Sequence, residues 1–246
     1  NSDVKSVCTK LVSYGLGEVK IAVGCNLSYD DEMIQEGLVK DFTDCTYKGL
    51  CVAVFFNKNY NNNIYKNIND EEFIRDKVPM TKEEVRSLSI IKLGLKKDSI
   101  FYDIGAGTGS ISIEAALNVP EGKVFSIEKK EEAIELINKN KKKFKVDNLY
   151  VVSGKAPQVL MNLDLPTNAF IGGSSGNLKE IIEILIYKNP KIKIVINAIT
   201  LETLSEVLEC IKKFPLINVD ITQITVAKSR QVAGLNMMTG QNPIYI

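Results

Sequence analysis

The sequence predicts an α/β fold in which a mostly parallel sheet carries helices on both faces. From residue 99 onward, short apolar runs alternate with helical patterns at the spacing of strand–helix–strand crossovers. A glycine-rich loop joins the first of these strands to the helix that follows it. Because the ligand of such a sheet lies beyond the carboxyl ends of its strands, we expect one pocket there, lined by several loops.

Residues 1–56 predict a smaller, partial α/β piece. Apolar residues on one face between positions 4 and 12 predict a helix that ends at Gly15, and strands are expected over 19–23 and 50–56. These three elements are too few to cover both faces of a sheet. Residues 57–70 are rich in asparagine and lack periodicity, which is typical of a linker. We therefore predict a second domain over 71–246.

Near the start of the second domain, Thr81 and Glu84 have the spacing of a capping box for a helix that runs to about Leu93. Residues 218–227 and 241–246 predict two antiparallel strands, joined by a polar loop, at the C-terminal edge of the sheet. Between these ends, we expect strands at 99–104, 123–127, 149–152, 168–171 and 191–196, and helices at 110–118, 131–144, 178–187 and 201–214.

Composition argues against several classes of function. The 31 basic and 30 acidic residues give a net charge of +1, which argues against a broad nucleic-acid interface. No apolar run approaches the roughly 20 residues of a membrane helix, and no basic segment leads into an apolar one at the N-terminus. We therefore expect a cytoplasmic protein with no membrane partner. Histidine is absent, which excludes a Ser-His-Asp triad and a histidine metal ligand.

Five cysteines are scattered along the chain without a C-x-x-C pair, namely Cys8, Cys25, Cys45, Cys51 and Cys210. Neither a disulfide framework nor a metal site is indicated by this spacing. We expect reduced and mostly buried thiols, and no bound metal.

The glycine loop follows Asp103 and has glycine at positions 105, 107 and 109. Glycine lets a ligand approach the main chain, and the helix behind the loop presents unpaired N–H groups. A dinucleotide fingerprint would need glycine where Ser110 stands. The next strand ends in a second acid, Glu128. Taken singly, Asp103 would be a turn cap and Glu128 the first exposed charge after a buried strand, but together they favour a cofactor site.

This pattern, Asp-x-Gly-x-Gly-x-Gly with a following acid, resembles the class I methyltransferases that bind S-adenosylmethionine. Further stretches resemble one branch of them, the decarboxylating precorrin methyltransferases of cobalamin biosynthesis, and lie at 72–75, 79–86, 154–157, 171–176 and 197–203. The resemblance implies a Rossmann-like sheet with an antiparallel C-terminal edge. It also implies methyl transfer to carbon 15 of a precorrin or cobalt-precorrin, with loss of the ring-C acetate carboxyl.

By the same resemblance, the cofactor contacts fall on Thr81, Gly105, Ala106, Gly107, Thr108, Gly109, Glu128 and Ala156. Glu128 would accept hydrogen bonds from the two ribose hydroxyls. The sequence departs from the family at Ser175, where a second glycine is more usual. No catalytic residue can be named, since a sulfonium methyl needs alignment more than a base, and the conjugated macrocycle can itself be the electron sink for decarboxylation.

The loop after the strand at 168–171 contains Gly172, Gly173 and Ser174, whose small size and polar hydrogens suit a large flat ligand edged with carboxylates. We take these three, with Asn197, as candidate substrate residues. Arg75, Arg86 and Arg230 are candidates for the substrate's carboxylates, because a guanidinium binds a carboxylate bidentately. The plainer alternatives are a flexible glycine loop and three surface charges.

Residues 24–32 resemble the closing half of the tetrapyrrole methylases that act at carbon 5. We therefore expect residues 1–56 to be the C-terminal part of such a domain, without carbon-5 activity of its own. The resemblance also implies a homo-oligomer, since the family forms tetramers. Two rival functions stay open at this point, a methyltransferase for another substrate and a catalytically silent cofactor-binding module.

Overall fold

A computed structural model describes residues 3–58 and 67–246, and the chain divides into two compact units, Asn1–Asn63 and Ile64–Ile246. Each unit has its own hydrophobic core. Most of the predicted linker at 57–70 lies outside the described residues, so its conformation stays a prediction. Within the described ranges, no helix has the length and apolar character needed to cross a membrane.

The first unit is a three-stranded antiparallel sheet with one helix. Its elements are α1 (Val4–Ser13), β1 (Lys20–Cys25), β2 (Met33–Leu38), a 3-10 turn (Val39–Phe42) and β3 (Cys51–Phe56), in the sheet order β2-β1-β3. Asp3 caps α1 by accepting a hydrogen bond from the Ser6 N–H at 2.7 Å. Strand β2 was not predicted, because its sequence has no clear alternation of apolar and polar residues.

Two of the five cysteines are not free. Cys25 and Cys51 lie directly opposite each other in the β1–β3 ladder and form a disulfide. The expectation of five reduced thiols was therefore wrong for this pair and holds for Cys8, Cys45 and Cys210. Strand register brings the pair together over a sequence separation of 26, and no local spacing signals it.

The second unit has a five-stranded parallel sheet in the order β6-β5-β4-β7-β8. The strands are β4 (Ile100–Ile104), β5 (Lys123–Glu128), β6 (Leu149–Ser153), β7 (Asn168–Ile171) and β8 (Lys193–Ile196). The helices are α2 (Glu83–Leu93), α3 (Ser110–Asn118), α4 (Glu131–Phe144), α5 (Leu178–Lys188) and α6 (Leu201–Lys213). Strand order reverses beside β4, the position at which ligands bind in open parallel sheets.

Successive residues of β4 enter the two hydrophobic cores on opposite faces of the sheet. Phe101 packs with residues of α2, α3 and α4, whereas Tyr102 packs with residues of α5 and α6. This alternation is the period of an extended strand, and burial on both faces explains why the strands read as continuous apolar runs. The predicted fold, a mostly parallel sheet between two helical layers, is confirmed.

The C-terminal region differs from the prediction in the length of its two strands and in the segment between them. β9 (Gln223–Ile224) and β12 (Ile244–Tyr245) pair antiparallel, and Tyr245 bridges to Ala198 just beyond β8. Between them, β10 (Ala227–Val232) and β11 (Leu235–Gly240) form a hairpin where we expected a polar loop. Its turn has positive φ at both Ala233 and Gly234, the geometry of a tight hairpin turn. Alanine is unusual at such a position, so only Gly234 indicated a hairpin turn in the sequence.

Candidate functional site

The glycine loop connects β4 to α3 and is confined on two sides. Gly105 and Gly107 have φ values of +75° and +56°, a region that glycine enters readily. A Cβ on Gly105 would lie 2.6 Å from the Gly173 carbonyl oxygen, and one on Gly107 would lie 2.6 Å from that of Pro79. The loop thus passes between two other backbone segments where no side chain fits.

Glu128, at the end of β5, is fixed beside this loop by three backbone donors. Its Oε2 accepts a hydrogen bond from the Gly107 N–H at 3.0 Å. Its Oε1 accepts from the N–H groups of Lys129 and Lys130 at 2.8 and 3.1 Å. With only 9% of its surface exposed, Glu128 is not the surface charge of the plainer alternative. A buried carboxylate held in this way can receive hydroxyl donors from a ligand without first being ordered.

A cavity of about 700 Å³ lies beyond the strand ends, a size typical of small-molecule sites. Segments 78–82 and 241–244 close its sides. Six of the eight predicted cofactor residues line it, namely Thr81, Gly105, Ala106, Gly107, Glu128 and Ala156. Thr108 and Gly109 do not line it, since Thr108 is fully buried and Gly109 backs onto Ile137. Contact of these residues with a cofactor stays a prediction.

The candidate substrate residues divide into two groups. Gly172, Gly173, Ser174 and Asn197 line the same cavity as the cofactor candidates. The Asn197 amide pairs with the Ser89 hydroxyl at 3.3 Å, which turns part of its polar surface towards α2. Two of the three arginines, Arg75 and Arg230, are exposed and do not line the cavity.

Arg86, the third arginine, is fully buried, so its assignment to the substrate was wrong. Its Nε donates to Glu114 at 2.6 Å, and its Nη1 donates to Asp70 at 3.0 Å and to the Thr81 carbonyl at 2.7 Å. Burial raises the pKa of the Glu114 carboxyl, which the Arg86 guanidinium only partly offsets. Two protein carboxylates therefore occupy the guanidinium, and none of it reaches solvent.

This network fixes one wall of the cavity. Because Arg86 binds the Thr81 carbonyl, the segment that lines the cavity is tied to the start of α2. The predicted capping box does not form, since the N-cap of α2 is Lys82 and no side chain caps it.

Asp103 is buried in β4 beneath the glycine loop. Its Oδ2 accepts a hydrogen bond from the Ser112 hydroxyl in α3 at 2.5 Å, and its Oδ1 has no partner among the described residues. Burial raises the pKa of the Asp103 carboxyl to about 7, with a smaller opposing effect of the Ser112 hydrogen bonds. Asp103 is therefore bonded to the following helix, and its protonation changes near neutral pH.

The Asp103 carboxyl should make stability depend on pH. Its pKa in the folded chain exceeds the ordinary value of 3.8, so between about pH 4 and 7 the folded state binds more protons and stability falls as pH rises. We expect Asp103→Asn to flatten this fall, by up to about 1.4 kcal/mol per pH unit. Urea denaturation across that pH range would measure it, with exposed Asp98→Asn as control. Equal slopes for wild type and Asp103→Asn would refute the prediction.

Three lysines of the cavity rim were missed by sequence reasoning. Lys129 and Lys130 follow β5, and Lys155 follows β6. The sequence held a usable signal, because all three stand directly after strand ends that were predicted to meet at the pocket. Residues Gln241 and Asn242, which also line the cavity, carried no such signal because the chain returns to the site only through the C-terminal strands.

Comparisons with known proteins cover most of the second unit. A family model described as the precorrin methyltransferase domain matches residues 71–246. A probable cobalt-precorrin-6B C(15)-methyltransferase (decarboxylating) of Sulfurisphaera tokodaii is 42% identical over 186 residues, which are 73% of this chain and 94% of that protein. The protein of the same description from Saccharolobus solfataricus is 41% identical over 193 residues, 75% and 96% of the two chains.

Solved structures that match this chain have related descriptions. The precorrin-6Y C5,15-methyltransferase of Geobacter metallireducens matches with a TM-score of 0.67 and 37% identity, over 73% of this chain and 94% of that one. A precorrin 8W decarboxylase of Methanobacterium thermoautotrophicum also has a TM-score of 0.67, at 33% identity over 72% and 96%.

Proposed function

We infer the function from the premise that this chain belongs to the precorrin methyltransferase family. It is an S-adenosylmethionine-dependent, decarboxylating methyltransferase that acts at carbon 15 of a precorrin or cobalt-precorrin. The structural observation that carries this inference is the fixed carboxylate of Glu128 beside the glycine loop, in a cavity shared with Gly172, Gly173 and Ser174.

The residues of this cavity fit the cofactor. S-adenosylmethionine supplies an activated methyl group on a sulfonium. We propose that Glu128 accepts the ribose hydroxyls, and that the backbone of Gly105, Ala106 and Gly107 lies against the cofactor. Thr81 and Ala156, which also line the cavity, complete the proposed contacts. A loop free of side chains is what close approach of a ligand to the main chain requires.

The protein's part in methyl transfer is to hold the substrate carbon in line and to exclude water. The loop with Gly172, Gly173 and Ser174 adds little side-chain bulk to the cavity and offers backbone and hydroxyl donors to the carboxylates of the macrocycle. We assign no general base, because alignment is the main requirement and no histidine is present. For decarboxylation, we propose that the macrocycle takes up the electron pair while the protein orients the ring-C acetate.

The direct test is an assay with methyl-labelled S-adenosylmethionine and a carbon-15-unmethylated corrin precursor. We expect label in the macrocycle together with release of carbon dioxide from the ring-C acetate. Methylation of a substrate other than a tetrapyrrole, or cofactor binding without turnover of any tetrapyrrole, would favour one of the two rival functions. Cobalt-free and cobalt-loaded precursors should be assayed in parallel.

We also propose that the chain assembles with copies of itself through the β10–β11 hairpin. Every residue of the two strands is exposed, and a two-stranded hairpin is at best marginally stable alone. Val232, Leu235 and Met237 form an apolar patch on one face of it, since Val232 pairs with Leu235 and Met237 lies two residues along β11. A second copy presenting the same patch would cover it. Sedimentation equilibrium that returns a monomer would overturn this proposal.

For the first unit, we propose descent from the C-terminal part of a carbon-5 tetrapyrrole methylase. Its sequence resemblance at residues 24–32 supports this origin, and residues 1–56 contain no loop of the Gly105–Gly109 kind. We therefore propose that residues 1–56 do not methylate carbon 5.

Deleting residues 1–66 should leave carbon-15 methylation within about two-fold of the full chain, a difference below 0.5 kcal/mol. The family match begins at residue 71, and the residues that line the cavity lie between 78 and 244. Steady-state kinetics of the two proteins would measure this. Loss of turnover in a shortened chain that keeps its far-ultraviolet circular dichroism would contradict it, as would carbon-5 methylation by the full chain.

A further inference from the structure

The cavity is strongly cationic at its rim. Four lysines and one glutamate line it, which gives the lining a formal charge of +3. The one carboxylate, Glu128, already accepts three backbone hydrogen bonds. Within residues 3–58 and 67–246, no carboxylate lies within 4 Å of the ammonium groups of Lys129, Lys130 or Lys155, whereas Lys82 has Asp70 at 3.6 Å. The rim thus attracts anions that the protein does not itself supply.

Lys129 makes a hydrogen bond across the rim of the cavity. Its Nζ donates to the Ser175 hydroxyl at 2.9 Å. This bond joins the loop after β5 to the loop after β7, and β4 with its glycine loop lies between those strands. The ammonium is therefore held above the glycine loop, between the proposed cofactor and substrate sides of the cavity.

The chemistry of this contact leaves Lys129 able to bind an anion. An ammonium has three donors, and the Ser175 hydroxyl takes one of them. A hydroxyl does not neutralise the charge, so the remaining donors can form charge-assisted hydrogen bonds with a carboxylate. The Ser175 hydroxyl supplies this contact, which a residue without a polar side chain could not make.

We propose that Lys129, oriented by Ser175, is the principal anchor for a peripheral carboxylate of the tetrapyrrole and helps to determine substrate specificity. This inference rests on the proposed function and assigns to a lysine the role that sequence reasoning gave to Arg86. Lys129 binds and places the substrate, and Ser175 acts only by positioning Lys129.

The test compares three methionine variants, each of which removes one charge and keeps side-chain length. Uroporphyrin, a tetrapyrrole edged with acetates and propionates, is the probe, and its affinity is measured by absorbance titration. We expect Lys129→Met to weaken binding by roughly 5- to 20-fold, the range between an exposed ion pair and a charge-assisted hydrogen bond. Lys155→Met should have a smaller effect, and Lys142→Met, an exposed lysine of α4 outside the site, should have none.

Further measurements separate this contact from the cofactor site. Affinity for S-adenosylmethionine, measured by calorimetry, should be unchanged in Lys129→Met. Lys129→Arg, which keeps the charge, should bind uroporphyrin about as tightly as the wild type. Ser175→Ala should weaken binding less than Lys129→Met does. Equal losses in Lys129→Met and Lys155→Met would indicate diffuse attraction and overturn the proposal, as would lost cofactor affinity or unaltered uroporphyrin affinity.

The proposed function and the Lys129 assignment can be refuted separately. Wild-type turnover of a corrin precursor, with an unchanged KM in Lys129→Met, would leave the proposed function intact and remove only the Lys129 assignment. Absence of wild-type turnover on every tetrapyrrole would remove both.

Discussion

Replacing Arg86 with leucine should lower the free energy of unfolding of the second unit by about 3–5 kcal/mol. The side chain is fully buried, and its removal leaves Asp70 and Glu114 without their shared cation. It also leaves the Thr81 carbonyl without its donor. Glu114 then loses its cation while buried, and Asp70 keeps only Lys82 at 3.6 Å, so the loss exceeds that of an ordinary surface charge.

Urea denaturation followed by circular dichroism measures this loss, with Arg75→Leu as the matched control. Arg75 is an exposed arginine, and its replacement should change the free energy of unfolding by no more than about 0.5 kcal/mol. Combining Arg86→Leu with Glu114→Leu should cost less than the sum of the single changes, because the pair is then removed together. If Arg86→Leu unfolds at the wild-type urea concentration, the network is not the structural element that we describe.

Replacing Glu128 with alanine should weaken S-adenosylmethionine binding by about 10- to 150-fold, the equivalent of 1.5–3 kcal/mol for hydrogen bonds to a charged group. The carboxylate is buried beside the glycine loop, and its loss also frees the Gly107 N–H that it holds. Both effects act on the proposed ribose site and should leave the sheet intact.

Isothermal calorimetry measures the cofactor affinity, and Glu132→Ala, which removes an exposed carboxylate of α4, is the control. S-adenosylhomocysteine should lose the same factor as S-adenosylmethionine, because both carry the ribose. A loss confined to S-adenosylmethionine would mean that Glu128 acts through the sulfonium charge, and an unchanged affinity for both ligands would refute its role altogether.

Much of the fold could be predicted because its signals are local. The central strands are apolar runs of four to six residues buried on both faces, and α3 and α4 occupy the predicted residues 110–118 and 131–144. The hairpin and β2 were missed, because their strands are exposed or irregular in pattern and carry no burial signal.

The residues of the candidate site also differ in whether a local sequence signal could place them. Residues at strand ends, such as Glu128 and Gly173, could be placed because topology alone brings them to one edge of the sheet. Arg86 could not, since a helical arginine has the same local sequence whether it faces solvent or a core. Glu114 lies 28 residues away and meets Arg86 through the packing of α2 on α3, and Asp70 lies 16 residues away in the segment before α2.

The close approach of Gly105 to Gly173 has an evolutionary consequence. Position 105 cannot acquire a side chain while the loop after β7 keeps its path, whereas a Cβ on Gly173 would meet no atom within 4 Å. The constraint therefore runs in one direction, and a relative with any other residue at position 105 must have rebuilt the segment after β7. Since we propose that one loop contacts the methyl donor and the other the acceptor, a side chain gained at position 173 could change acceptor specificity without displacing the donor loop.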